Sequence, residues 1–368
     1  MNYIDKKISQ LLIEAEQSGV FPGAAVAIHL KKINKPVEIL LSSGISQLYP
    51  RKLKLYSQTY FDIASLSKPL STVLLLISLI SEGKISIDQK IIDLFSENIP
   101  QDKKDITLVQ LLNHSSGLPA YRPYFHRLAE IPAEKRGKEL FSLLMKEPLE
   151  SLPGTKAVYS DPGFLLLGLL IEKMTGSGLD RCFAKRVAMP LHLSPGLFYN
   201  RLPARRRGTY AATEACPWRG RVMRGEVGDE NCWSLGGVAG HAGLFGRPGE
   251  VMGLVKAILD IWRGRASHPF LPHDLVKYFL EARSPVHGST WALGFDRPTP
   301  GCSSSGRYLS PRSVGHLGFT GTSFWIDPDR DLVIVLLTNR VHPSRNNDRI
   351  KEFRPYFHDR VIELLGLK

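Results

Sequence analysis

Residues 61–68 read Phe61-Asp62-Ile63-Ala64-Ser65-Leu66-Ser67-Lys68, and an apolar run at 69–80 follows them directly. The apolar run predicts a buried helix with Ser65 and Lys68 at its start. Side chains three positions apart on a helix project from one face, about one turn from each other. A serine hydroxyl becomes a useful nucleophile when a neighbouring base accepts its proton, and a buried amine can be that base. The stretch therefore predicts a nucleophile with its base.

The spacing alone does not decide the site, because Ser81-Glu82-Gly83-Lys84 has the same pattern. Pro69 helps to place the first pair. A proline costs about 3 kcal/mol in a helix interior but is tolerated in the first turn, so the regular helix is predicted to begin close to Ser65 or Ser67. Free N–H groups at a helix start stabilise negative charge on a substrate oxygen. This favours the pair at Ser65.

Composition indicates a stable globular protein: the 368 residues are 43% hydrophobic and 23% charged, which allows a substantial core. The first 18 residues are typical of an amphipathic helix and not of a secretory signal. The cysteines are few and scattered, with no Cys-x-x-Cys pair, which suits a reducing compartment. We expect a cytoplasmic protein that does not bind membranes, unless a signal peptide has been removed.

The net charge is +13, and much of the excess lies in one Gly/Pro-broken stretch. Its arginines are Arg201, Arg205, Arg206, Arg207, Arg219, Arg221 and Arg224. Such a loop could steer an anionic substrate, or it could be an ordinary solvated loop. The second interpretation is favoured because no nucleic-acid motif accompanies the charge. We expect a small-molecule or peptide substrate and no nucleic acid. An anionic substrate would suit this loop.

Strand patterns occur at both ends of the chain, with a mostly helical middle between them. The predicted strands are 22–30, 37–41, 291–295, 314–319, 323–326 and 332–337, and a closing helix is predicted at 348–365 with Asn346 or Asn347 as its cap. This order predicts an α+β fold in which one antiparallel sheet is built from both termini and flanked by helices. We expect a single domain, 1–368, with a sheet lobe at about 1–64 and 285–368, a helical lobe at about 65–284, and a cleft between them.

Two further segments have a functional and a structural interpretation. His114, at the end of a predicted helix, could be a base, but a buried histidine that hydrogen-bonds to its surroundings is favoured. The glycine-rich segment 233–246 has no phosphate-loop ending and is interpreted as close backbone packing beneath the cleft. No His-Glu-x-x-His, Gly-x-Ser-x-Gly or paired-cysteine pattern is present, so neither a metal nor another cofactor is expected.

Three motifs follow one another in a recognisable order: Ser65-x-x-Lys68, Tyr159-x-Asp161 and His316-Leu317-Gly318. They are supported by Leu111-Leu112-Asn113-His114-Ser115-Ser116-Gly117-Leu118-Pro119. Together they resemble the serine β-lactamase and penicillin-binding protein superfamily, in its class C-like branch. The resemblance covers nearly the whole chain, from about Gly23 to the final helix.

The resemblance implies a role for each residue of the site. Ser65 would attack a carbonyl carbon and form an acyl-enzyme, and Lys68 would accept or relay the proton. Tyr159, its pKa lowered by nearby positive charge, would carry protons to the leaving group and later activate water. The backbone N–H groups of Ser65 and Phe319 would form the oxyanion hole.

Departures from the family motifs affect the substrate more than the reaction. Asp161 stands where many relatives have Asn, and it could pair with Lys68. His316-Leu317-Gly318 replaces the frequent Lys-Thr-Gly and so lacks a hydroxyl donor and a permanent cation, which argues against efficient β-lactam cleavage. Segments 229–231 and 339–343 resemble a subgroup that includes muropeptide amidases, although Gly228 replaces a frequent histidine.

The favoured hypothesis is a serine hydrolase that cleaves an amide or ester, with a peptidoglycan-derived muropeptide as one candidate substrate. Two alternatives use the same scaffold: a β-lactamase or carboxylesterase of this branch, and a non-catalytic sensor that binds penicillins or muropeptides. The sequence leaves the substrate, the choice of Lys68 or Tyr159 as general base, and the oligomeric state open.

Overall fold

The structure is a computed structural model that describes residues 3–32, 35–95, 97–193, 195–203, 208–301 and 303–368. Its strands are β1 Gly23–Leu30, β2 Val37–Gln47, β3 Leu53–Lys54, β4 Phe61–Asp62, β5 Leu197–Tyr199, β6 Ala212–Cys216, β7 Arg221–Arg224, β8 Leu244–Gly246, β9 Val314–Leu317, β10 Ser323–Asp327 and β11 Leu332–Thr338. Its α-helices are α1 Tyr3–Gln17, α2 Leu74–Ser81, α3 Ile91–Leu94, α4 Leu108–Leu112, α5 Phe125–Ala129, α6 Arg136–Lys146, α7 Asp161–Thr175, α8 Leu179–Phe183, α9 Glu230–Ser234, α10 Pro248–Trp262, α11 His273–Glu281 and α12 Ile350–Leu364.

The main sheet joins the two ends of the chain. It has six antiparallel strands in the order β3-β2-β1-β11-β10-β9, and β1 pairs with β11 from Ala24↔Thr338 to Leu30↔Leu332. Both central strands are buried along their whole length. The α+β fold, with a sheet assembled from both termini, is therefore confirmed.

Two hydrophobic clusters cover the two faces of this sheet. Side chains alternate between faces along a strand. Ala24, Val26 and Ile28 therefore pack toward α1 and α12, while Ala25 and Ala27 pack toward the mostly helical segment 64–284, which is inserted between the two halves of the sheet. The small residues of β1 let the helices of both layers lie close to the sheet. One edge of the sheet, β9, then lies beside the start of the Ser65 segment.

The helical stretch that begins at Ala64 is not a regular α-helix, and the predicted start at Ser65 or Ser67 is wrong in this respect. A 3₁₀ turn at Ala64–Leu66 leads into a π-helix at Lys68–Val73, and α2 follows. Pro69 lies in the first turn of the π-helix and has no N–H to donate, which favours a widened turn. By length and composition, the stretch at 64–81 could cross a membrane, but 78% of it is buried in the fold, as in a core helix.

Two smaller predictions are also wrong. Segment 291–295 is a tight turn, because the Ala292 N–H donates to the Phe295 carbonyl and Gly294 has a φ of +83°. The closing helix begins at Ile350 with Arg349 as its N-cap and no side-chain cap bond, so neither predicted asparagine caps it.

The inserted segment 64–284 is mostly helical, but its strands β5 and β8 form a small sheet with β4, in the order β4-β8-β5, that holds the chain entering the Ser65 turn. The glycine-rich segment ends in β8 and packs tightly, as expected. A Cβ on Gly240 would lie 2.1 Å from the Phe164 carbonyl oxygen of α7. The Thr72 hydroxyl donates to the Gly240 carbonyl at 2.6 Å, so this glycine joins the Ser65 helix to α7.

We therefore expect Gly240→Ala to lower the free energy of unfolding by about 1–3 kcal/mol, because the added methyl group displaces α7 backbone. Urea denaturation followed by circular dichroism measures this change. Gly249→Ala is the matched control, since no atom lies within 4 Å of its added Cβ. A Gly240→Ala variant as stable as this control would contradict the expectation.

Candidate active site

Lys68 is fully buried and is the polar centre of the site. Its Nζ donates to Ser65 Oγ at 3.0 Å and to the His241 carbonyl oxygen at 3.1 Å, and it forms an ion pair with Asp161 Oδ1 at 2.7 Å. Burial lowers the pKa of Lys68, but Asp161 and the hydroxyl of Tyr159 outweigh it and hold that pKa above its usual value. Lys68 is therefore an ammonium group at rest, in contact with the candidate nucleophile.

The turn before Ser65 is held by a buried carboxylate. Asp62 Oδ1 accepts the Ala64 N–H at 2.9 Å, and Oδ2 accepts the Gly228 N–H at 2.7 Å. Ala64 has a φ of +49°, a strained value for a residue with a side chain, and the Asp62 bond compensates for it. Burial raises the pKa of Asp62 to about 6. Asp62 was not predicted as a site residue, although an aspartate that accepts a backbone N–H two residues later is a known local signal.

Tyr159 lies beside Lys68, with the ammonium nitrogen 4.7 Å from the centre of its ring. Its hydroxyl is buried near Lys68 and Ser65, but within the described residues it makes no well-aligned hydrogen bond. Burial raises the pKa of Tyr159 and outweighs the opposing effect of Lys68. The implied lowering of this pKa is therefore wrong: Tyr159 is a neutral phenol at rest.

His114 has a structural role, as the favoured interpretation expected. Its Nδ1 accepts the Ser160 N–H at 3.1 Å and its carbonyl accepts the Val158 N–H at 2.8 Å. The ring lies 4.8 Å from that of Tyr159, between centroids, and burial lowers the pKa of His114. The neutral imidazole thus fixes the segment that carries Tyr159.

The third motif begins on β9, at the edge of the main sheet that lies beside the Ser65 turn. Burial lowers the pKa of His316 to about 3, so its ring is neutral, and Nδ1 donates to the Leu317 carbonyl at 2.8 Å. A Cβ on Gly318 would lie 2.8 Å from the Ile63 carbonyl oxygen. Glycine is needed there because the strand edge touches the turn before Ser65.

The amides of Ser65 and Phe319 belong to residues that line the same cavity. In the part of the chain that the structure describes, neither amide nitrogen donates to a protein acceptor. Both are thus available to a bound molecule. Phe319 is 52% exposed and lines the cavity.

One cavity of about 610 Å³ brings the predicted residues together, apart from Lys68, which lies behind Ser65. Its wall includes Ser65, Tyr159, Asp161, His316, Gly318 and Phe319. The cavity also holds residues that the sequence did not predict. The ring of Trp291 stacks on Tyr159 at a centroid distance of 5.7 Å, and His241 Nε2 lies 2.8 Å from Asp229 Oδ1. His241 was hidden in a glycine-rich segment that we interpreted as packing alone.

Glu214, Cys216 and Glu230 lie beside this cavity with potential ligand atoms within 4.8 Å of one another. Arg345 donates to both carboxylates. The charge of the cluster is therefore matched by a guanidinium group, and the cluster joins the segment after β11 to β6 and α9.

The described arginines of the basic stretch stabilise local structure. Arg201 pairs with Asp180, Arg221 pairs with Glu226, Arg219 donates to the Val227 carbonyl, and Arg224 donates to the Tyr210 carbonyl. Arg205, Arg206 and Arg207 lie outside the described residues. These contacts of the described arginines support the interpretation of this stretch as an ordinary solvated loop.

Comparisons with known proteins agree with this geometry. The family model described as Beta-lactamase matches residues 8–354. A putative D-alanyl-D-alanine carboxypeptidase of Escherichia coli K12 is 32% identical over 81% of this chain and 73% of its own length. An N-acetylmuramyl-L-alanine amidase of Bacillus subtilis is 32% identical over 92% of this chain and 81% of its own.

Solved structures share the fold at low sequence identity. An octameric penicillin-binding protein homologue from Pyrococcus abyssi has a TM-score of 0.74 at 18% identity, covering 98% of this chain and 77% of that one. The hydrolase EstCE1 has a TM-score of 0.71 at 19% identity, covering 96% and 98%. The family match over most of the chain, with both relatives above 30% identity, shows that the protein belongs to the Beta-lactamase family and is a serine hydrolase of the amidase or peptidase type.

Proposed function

We propose that the protein hydrolyses an amide bond of a peptidoglycan-derived peptide through an acyl-enzyme on Ser65. The observation that carries the proposal is the contact of 3.0 Å between Ser65 Oγ and a buried Lys68 at the wall of the cavity. The names of the two relatives at 32% identity, a carboxypeptidase and a muramyl amidase, support the substrate class.

The proton of Ser65 passes to a group of three side chains, Lys68, Tyr159 and Asp161. At rest this group holds an ammonium, a phenol and a carboxylate, so it must lose one proton before it can act as a base. Titrating groups in such close contact share their protons, and acylation rises with pH through an apparent pKa of the whole group. The same group then protonates the leaving amine, and Tyr159 activates the water that cleaves the ester.

The amides of Ser65 and Phe319 stabilise the oxyanion that forms when Ser65 attacks. Backbone N–H donors beside the attacked carbonyl act on charge that develops only in the transition state. Their lack of protein acceptors among the described residues supports this role.

The neutral His316 makes a β-lactam a poor candidate substrate. A lysine at this position would offer a permanent cation to a substrate carboxylate, whereas a histidine with a pKa of about 3 offers only a neutral ring. The cavity of about 610 Å³ has room for a peptide, and its lining residues include both arginines and carboxylates. A peptide that carries both kinds of charge fits this lining.

We expect Ser65→Ala to abolish labelling by a fluorophosphonate probe and to lower hydrolysis of a muramoyl-L-alanyl peptide by about 10³-fold or more. Ser81→Ala is the matched control, because Ser81 has the same spacing to a lysine but its hydroxyl donates to the Ser78 carbonyl at 2.8 Å. The control should be labelled like the unmodified protein. Labelling that survives in Ser65→Ala would remove the nucleophile assignment, whereas labelling without peptide turnover would remove only the substrate class.

We expect Asp161→Asn to shift the acidic limb of the labelling rate to lower pH by about 1–3 units. Asp161 raises the pKa of Lys68, so loss of its charge lowers that pKa and leaves more of the group ready to accept a proton at neutral pH. The measurement is the second-order rate of fluorophosphonate labelling between about pH 5 and 10. Asp180→Asn, which removes a carboxylate paired with Arg201, is the control. A limb that stays in place or moves to higher pH argues against a proton-transfer role for this ion pair.

A further inference from the structure

Arg354 is a buried cation in the wall of the cavity, on the first half of α12. It is 6% exposed, and its Nη2 donates to the Gly318 carbonyl at 2.6 Å and to the Thr322 carbonyl at 2.8 Å. In the residues that the structure describes, no carboxylate lies within ion-pair distance of its guanidinium group. Burying a charge with carbonyl partners alone costs folding free energy, so its position calls for an explanation.

The carbonyl of Gly318 belongs to the peptide group that also contains the Phe319 N–H. In a trans peptide, the C=O and N–H bonds point in opposite directions. A donor that holds the Gly318 carbonyl therefore also fixes the direction of the Phe319 N–H, which belongs to a residue that lines the cavity. The Gly318 N–H also donates to the Thr322 carbonyl at 2.7 Å, so Arg354 contacts both sides of the same turn.

A second arginine holds the next peptide group. Arg340 Nε donates to the Phe319 carbonyl at 2.9 Å, and its guanidinium lies 4.8 Å from the centre of the Phe319 ring. The Thr338 hydroxyl donates to the Thr320 carbonyl at 3.0 Å. Three successive carbonyls of the turn are thus fixed by side-chain donors, and two of these donors are cations.

We propose that Arg354 is a positioning residue that aims the Phe319 N–H at the substrate's carbonyl oxygen and strengthens it as a donor. This inference rests on the proposed function, in which that N–H is half of the oxyanion hole. Hydrogen bonds in a chain polarise one another in a low-dielectric interior, so a cation on the carbonyl makes the N–H of the same peptide more positive. The effect increases as negative charge develops on the substrate oxygen, so it acts mainly on the transition state.

A purely structural role predicts something different. If Arg354 only joins α12 to the sheet, its removal lowers stability and leaves the chemistry of the folded protein unchanged. If it acts through the Phe319 N–H, its removal lowers kcat and leaves KM nearly unchanged. Removal of Arg354 then also weakens the binding of analogues that place an oxygen in the oxyanion hole, but not the binding of ligands that only fill the cavity.

The test compares Arg354→Met and Arg354→Lys with Arg360→Met, a control on the same helix whose guanidinium contacts Glu363 at the surface. We expect Arg354→Met to lower kcat and the labelling rate of Ser65 by about 10²–10³-fold, the loss typical for an oxyanion donor. The affinity of this variant for a phenylboronic acid should fall in proportion to kcat, while its KM stays within about twofold of that of the unmodified protein. Arg354→Lys keeps the charge but replaces the planar guanidinium with a shorter, flexible ammonium group, and we expect an intermediate loss of about 10-fold.

Each outcome decides between the two roles. Equal labelling rates in the unmodified protein and in Arg354→Met would overturn the inference and leave the proposed function intact. If the unmodified protein is not labelled, the proposed function itself fails. If Arg354→Met does not fold, Arg354→Lys decides between the two roles. A labelling rate equal to that of Arg360→Met overturns the inference. A lower kcat with an unchanged KM, together with a proportional loss of affinity for the boronic acid, supports it.

Discussion

The buried ammonium group of Lys68 is the constraint on which the rest of the site depends. A cation without access to solvent must have acceptors for its protons, and here they come from three separate parts of the chain: Ser65 Oγ, Asp161 Oδ1 and the His241 carbonyl. The helical stretch after Ala64, the start of α7 and the glycine-rich segment therefore have to meet at one point. The inserted segment thus brings three acceptors to one amine.

Close backbone contact makes this meeting possible. Gly240 lies against the Phe164 carbonyl of α7, and Gly318 lies against the Ile63 carbonyl, at distances that leave no room for a Cβ. Asp62 completes the arrangement, because one carboxylate accepts N–H groups from both sides of the site. The contacts bring the edge of the main sheet and the Ser65 turn together, so both free amides line one cavity.

The sequence predicted what depends on local pattern. Strand Gly23–Leu30 and the contact between Ser65 and Lys68 followed from hydrophobic patterning and from helical spacing. What it could not predict depends on partners distant in the chain. The pKa of Tyr159 is raised because burial outweighs a cation whose own charge is stabilised by Asp161. The role of Trp291 depends on a turn at Gly294 that the apolar pattern of 291–295 concealed.

The distribution of positive charge explains why a neutral histidine fits the third motif. Burial lowers the pKa of His316 first, and Lys68 and Arg354 lower it further. A cation at this buried position would therefore be repelled by the charges of both residues. The guanidinium of Arg354 instead donates to the Gly318 carbonyl, so that its positive charge acts on the substrate through the Gly318–Phe319 peptide. Such an arrangement favours a substrate recognised by hydrogen bonds at this edge of the cavity, and the carboxylate groups of a peptide would then be bound elsewhere in the cavity.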